Sequence, residues 1–151
     1  LAGMAHEALG RNEAAAGQWR KALELTSKTK YAATAALRLG EMLSKAGKYD
    51  EAAGFLERAA AGAVTPELVA LRARAYLALG KNAQARGDDD SALRFFMSVG
   101  LLFDDKTIVP EALSEAIKLL EGSGKPDEAR AMRTEFERRY PDEAKMMGRG
   151  R

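Results

Sequence analysis

Four groups of residues in this 151-residue chain have types and spacings that suggest chemistry. Gly122-Ser123-Gly124-Lys125 resembles a phosphate-cradling loop. That loop requires a glycine five places before the second glycine and a serine or threonine after the lysine. Leu119 and Pro126 hold those places and no strand precedes them, so the segment reads as a turn between helices. Asp88-Asp89-Asp90 suggests a hard-cation site, which needs about six oxygen ligands. No glutamate stands at the twelfth loop position, and acids at the start of a helix suit its macrodipole. The triplet therefore reads as a helix start. His6 is the single histidine and cysteine is absent. A zinc site would need several carboxylates beside it, and a serine triad would have to use it without any serine in a recognisable nucleophile setting. His6 reads as a packing residue. The basic residues Arg138, Arg139, Lys145, Arg149 and Arg151 are interleaved with Glu135, Glu137, Asp142 and Glu143. Without an aromatic stacking platform they read as a solvated helix face and a frayed end. The expectation is a chain with no catalytic residue, cofactor or metal.

The elements beneath these groups explain why none forms a reactive constellation. Gly10, Gly47, Gly87 and Gly124 are each followed five residues later by alanine: Ala15, Ala52, Ala92 and Ala129. The steps between pairs are 37, 40 and 37 residues, the range of a solenoid whose units bury their apolar faces by stacking. Around Gly47 the apolar positions Ala32, Ala35, Ala36, Leu39 and Leu43 precede, and Ala52, Ala53, Leu56 and Ala59 follow, at three- and four-residue steps. That period predicts helices and leaves no alternating stretch for a strand. Glycine between two helices supplies the left-handed residue that ends the first. The spacing predicts helices over 12–25, 29–46, 48–61, 66–86, 88–103, 109–122 and 126–139, with a short one at 1–9. Thr65-Pro66-Glu67 offers an N-cap, a proline at the first helical position and an acid in the first turn. Pro126 with Asp127 and Glu128 repeats the device, and Tyr140-Pro141 closes the last long helix. The length of the 66–86 helix absorbs the extra residues of the 40-residue step.

These offsets resemble the tetratricopeptide repeat, a helix–turn–helix unit of pattern W-x2-L-G-x2-Y, then A-x3-F, then P. Tyr76, Leu79, Gly80, Ala92 and Phe96 follow it, as do Leu39, Gly40, Leu43, Ala52 and Leu56. Ala15 with Trp19 supplies the second-helix part of a first repeat, and Ala129 with Pro141 that of the last. Ile117 departs from the expected glycine and Arg133 from the aromatic, so that repeat packs less tightly or Phe136 fills the gap. The resemblance implies an all-α, right-handed α-solenoid of about seven to eight helices in one domain over 1–151. Its units are a truncated repeat 1–27, then 28–64, 65–106 and 107–141, with a tail over 142–151. Small residues at Gly40, Gly80, Ala52 and Ala92 admit close helix approach, while Trp19, Leu56 and Phe96 fill the space toward the next unit. The longer units and the Tyr140-Pro141 ending resemble the variety found in bacterial cell-envelope proteins, which implies a periplasmic or envelope setting.

With 24 basic and 22 acidic residues, the chain is too balanced to point to nucleic acid or an anionic membrane surface. No apolar run approaches the roughly 18–20 residues that span a bilayer. The chain starts at Leu1 and reads as a piece of a longer protein. The resemblance implies a concave groove lined by the first helix of each repeat. Its positions fall on Thr34, Leu37, Glu41 and Lys45, then Arg74, Leu77, Lys81 and Gln84, then Glu111, Ser114, Lys118 and Glu121, with Arg74, Lys81 and Lys118 forming a cationic strip. The carboxylate clamp of the chaperone-tail version is not expected, because Leu37, Glu41, Ala78 and Glu111 hold its places. The expected function is a non-catalytic scaffold that binds a peptide or partner helix in this groove. The alternatives are assembly through a truncated N-terminal end carrying Leu1, Met4 and Ala8, or a docking arm for a parent enzyme.

Overall fold

In a computed structural model that describes residues 12–25 and 30–148, the three repeated glycines among the described residues end helices where their spacing predicts. The described residues form α1 (Asn12–Leu25), α2 (Lys30–Lys45), α3 (Tyr49–Gly62), a 3₁₀ turn (Pro66–Leu68), α4 (Val69–Ala85), α5 (Asp89–Leu102), α6 (Ile108–Gly122), α7 (Pro126–Arg139) and α8 (Pro141–Gly148). Gly47, Gly87 and Gly124 hold φ of +76°, +84° and +73°, a conformation that side chains with a Cβ resist. Each closes the same pair of bonds. The Gly47 amide donates to Ser44 O (3.0 Å) and the Lys48 amide to Leu43 O (2.9 Å), which is a Schellman closure. Gly87 with Asp88, and Gly124 with Lys125, repeat it.

The five-residue offset to alanine now has a cause. The residue after each glycine is the N-cap of the next helix, and its carbonyl accepts from the alanine amide: Ala52 to Lys48 O, Ala92 to Asp88 O and Ala129 to Lys125 O. Each alanine thus makes an opening hydrogen bond of the second helix, and all three are buried. Asp88 adds a side-chain cap, its Oδ1 accepting from the Ser91 amide at 3.0 Å. That bond, with help from the Ser91 side chain and Arg86, holds the Asp88 carboxyl below its ordinary range. The aspartate triplet is a helix start, as its position predicts.

Consecutive helices pack antiparallel, and the first helices of successive repeats (α2, α4, α6) also touch one another. Gly40 and Gly80 permit the pairing within each hairpin. A Cβ on Gly40 would lie 2.6 Å from Leu56 Cγ and Cδ2, and one on Gly80 would lie 2.6 Å from Phe96 Cδ1. Leu56 and Phe96 are themselves fully buried. Two apolar clusters result, one from α1–α4 and one from α4–α7. Tyr76 and Phe95 pack against both and meet edge-to-face at 6.4 Å, so the core is continuous along the stack. In the last repeat Ile117 and Phe136 are both buried in the second cluster, while Arg133 turns outward to pair with Glu121.

Two boundaries differ from expectation. The helix predicted over 66–86 starts as a 3₁₀ turn and becomes α-helical only at Val69. The Thr65 side chain makes no capping bond. Its hydroxyl serves the Glu67 carboxylate instead, the main cause of that group's lowered pKa. Nor is the tail frayed through 142–148, because Pro141 opens α8. The Ala144 amide donates to Tyr140 O at 2.9 Å and Ala144 packs against the core. Proline is tolerated there because a first helical residue has no amide to satisfy. The helix expected at 1–9, with Leu1, Met4, His6, Ala8 and Gly10, lies outside the described residues, as do Arg149 and Arg151.

Candidate functional site

The helices α2, α4 and α6 place one stripe of each on a shared face. Because these helices touch, and the second helices of the hairpins are spaced more widely, this is the inner side of the curve. A cleft of about 590 Å³ opens on it. It is lined from α2 by Arg38, Glu41, Ser44 and Lys45, from α4 by Arg74, Leu77, Ala78 and Lys81, and from the start of α6 by Asp105, Thr107, Ile108 and Glu111, with Leu56 behind.

Cross-helix ion pairs give the cleft its geometry. Arg74 Nε donates to Glu41 Oε1 at 3.0 Å and Nη2 to Glu41 Oε2 at 3.5 Å. Arg38 approaches the same carboxylate at 3.5 Å. Lys81 Nζ pairs with Glu111 Oε1. These two pairs are one structural position with the charges exchanged. Glu41 and Lys81 stand one residue after Gly40 and Gly80, whereas Arg74 and Glu111 stand six before Gly80 and Ile117. The stacking therefore sets each inner helix seven residues out of step with the next. The same stagger aligns Ser44 with Leu77 and Thr107, and Lys45 with Ala78 and Ile108, and all six line the cleft.

Six of the residues expected in the groove line this cleft: Glu41, Lys45, Arg74, Leu77, Lys81 and Glu111. Leu37 is not, because at 4% exposure it belongs to the packed core. Thr34, Gln84, Ser114, Lys118 and Glu121 lie on the expected helices but do not line this cleft. The cationic strip is also corrected. Arg74 and Lys81 are neutralised by Glu41 and Glu111, and Lys118 pairs with Glu115 at 2.7 Å one turn earlier on α6. Sequence reading missed Arg38, Ser44, Ala78, Asp105, Thr107 and Ile108. Their signal was the stagger, which the repeat offsets alone do not contain.

Further polar links join repeats away from the cleft. Buried Asn82 donates from Nδ2 to Tyr49 O at 3.0 Å, tying α4 to the start of α3. Arg139 donates to Gly100 O at 2.6 Å, where a cation suits the C-terminal end of α5, and stands over the Tyr140 ring at 5.2 Å. Tyr140 donates its hydroxyl to Asp104 Oδ1 at 2.9 Å. Burial first, and that bond second, raise its pKa. Among the described residues no group of His, Cys, Asp and Glu side chains is placed to hold a metal, and no helix is long and apolar enough to cross a membrane.

Comparison with known proteins agrees with the fold. Residues 35–70 match the tetratricopeptide repeat family. No curated protein sequence matches the chain as a relative. Among solved structures, the crystal structure of MamA superposes with a TM-score of 0.74 at 20% identity, covering 97% of this chain and 77% of that one. The crystal structure of BtubC (BKLC) from P. vanneervenii gives 0.80 at 16% identity, covering 99% of this chain and 62% of that one. The chain thus has a tetratricopeptide-like fold of stacked antiparallel helix pairs, and it spans less than two thirds of the second of these proteins.

Proposed function

We propose that this chain, one repeat of which carries the tetratricopeptide signature over residues 35–70, is a non-catalytic scaffold that binds a protein partner on its concave face. Repeats of this kind are generally protein-interaction modules, and their curvature creates the extended inner surface used for binding. The observation that carries the reading is the cleft between α2, α4 and α6, where side chains from three helices converge around Leu77 and Ala78. Its occupant on this reading is a peptide segment or a partner helix, held by repeats 28–64, 65–106 and 107–141. The resemblance of the Tyr140-Pro141 ending to cell-envelope repeat proteins favours a bacterial envelope setting, which fractionation of the source cell tests.

A photo-crosslinking amino acid tests the groove directly. Placed at Ser44 in the cleft it should capture a partner protein from the source cell. Placed at Arg94, exposed on α5, it should not. Capture from Arg94 with none from Ser44 would move the binding face to the outer helices.

A further inference from the structure

We infer that the groove accepts a short extended segment laid across the inner helices, with an acidic residue at one end, apolar side chains between, and a basic residue at the other. This rests on the concave-groove reading and specifies its occupant.

The shape of the cleft argues for an extended chain. Arg74, Leu77, Ala78 and Lys81 form one stripe of α4, at steps of three, one and three residues. The Arg74–Glu41 and Lys81–Glu111 pairs stand at its two ends. Seven residues of helix separate them, about 10.5 Å along the axis. A helix with its side chains is about 10–12 Å across and would press on both pairs. A single extended chain, in a layer where strands lie about 4.8 Å apart, fits between them. Its path runs from α2 over α4 to α6, two interaxial steps of about 8–10 Å each. About five or six extended residues at roughly 3.3 Å apiece cover that path.

The charges at the two ends of the path argue for polarity. Arg74, Arg38 and Lys81 already have carboxylate partners. Lys45, on α2, is exposed and has no carboxylate within ion-pair reach among the described residues. Asp105, at the α6 side, uses Oδ1 to accept the Thr107 and Ile108 amides at 2.8 and 2.7 Å. No Lys or Arg pairs with it among the described residues, which leaves its charge uncompensated by a cation. Between these ends the stagger aligns Leu77, Ala78 and Ile108 as the apolar floor. The cleft thus offers a cation, an apolar bed and an anion in that order, and its complement is an acid, apolar residues and a base.

The test is selection of random seven-residue peptides displayed on phage against the whole chain. Expected winners carry an acid and a base four or five positions apart around apolar residues, and they tolerate a central proline, which an extended segment accepts and a helix does not. Lys45→Glu should weaken the best peptide by about five- to tenfold in fluorescence anisotropy and, on reselection, replace its acid by a base. Winners without this polarity, winners that lose binding on proline insertion, or no winners at all would each overturn the inference. Ser44→Arg and Ala78→Arg, confirmed folded by circular dichroism, separate the two levels. Peptides of another charge pattern that bind the parent chain and not these variants would leave the groove standing and remove the polarity. Peptides that bind both variants unchanged would remove the groove and the inference together.

Discussion

Replacing Gly80 by alanine is expected to destabilise the chain, while the same change at Gly54 is expected to stabilise it. Both glycines lie inside helices, in α4 and α3, where alanine is intrinsically better by about 0.5–1 kcal/mol. Their surroundings differ. A Cβ at Gly54 meets nothing within 4 Å, whereas one at Gly80 lies 2.6 Å from Phe96 Cδ1 and 3.0 Å from Cζ. Phe96 has 0% exposure, and its rigid ring cannot yield by rotating a terminal methyl, so α4 and α5 must separate. Overpacking of this kind costs about 1–3 kcal/mol. The propensity gain is common to both variants, so the gap between them is the overpacking cost alone. With a urea slope of about 1–3 kcal/mol/M, a gap near 2 kcal/mol separates the midpoints by roughly 1 M. Urea titrations followed at 222 nm measure it, and Phe96→Leu in the Gly80→Ala background should recover part of the loss through coupling between contacting residues. Equal midpoints for Gly80→Ala and Gly54→Ala would refute the claim that helix approach at Gly80 is set by this contact.

Three other outcomes follow from the same packing and charges. Ala92→Leu, at a site with 0% exposure, should lower the urea midpoint by an amount equivalent to about 1–3 kcal/mol. Arg74→Glu should cost less than about 1 kcal/mol in thermal or urea unfolding, because its pair with Glu41 is half exposed. Adding Glu41→Arg should restore only part of it, because Arg38 also pairs with Glu41, and both effects should shrink in high salt. For Tyr140 the folded pKa lies above the unfolded value near 10, so its contribution is complete below about pH 10. It is lost as pH rises through the folded pKa, because the unfolded chain releases the proton first. Tyrosinate absorbance should show Tyr140 titrating above the ordinary tyrosine range, and Tyr140→Phe should remove that step.

Much of the fold was legible because its determinants are local. Gly47, Gly87 and Gly124 announce left-handed turns, and the alanine five places on marks an opening hydrogen bond of the next helix. Thr65 and the tail were misread for the same local reason. Threonine before proline has the pattern of an N-cap, but the Thr65 hydroxyl is drawn to Glu67. Alternating charges after Pro141 suggest a solvated end, but Ala144 finds the core. The groove was legible only by helix. Sequence offsets named the three helices that line the cleft and six of its lining residues. They also put Leu37 at the surface, where packing buries it.

What the sequence determines by itself is the repeated hairpin: helix period, turn glycine, and small residues where two helices meet. These follow from backbone sterics and from side-chain volume within a few turns. The tertiary structure decides how one hairpin sits on the next. A stagger of seven residues joins Glu41 to Arg74 and Lys81 to Glu111, silencing two of the three cations that the sequence offers as a strip. Among the described residues it leaves Lys45 and Asp105 as the cleft charges without an ion-pair partner. Neither neutralisation nor exposure is a property of a residue type. For these pairs both depend on distances between residues thirty or more apart in the chain, and only the packed stack sets those distances.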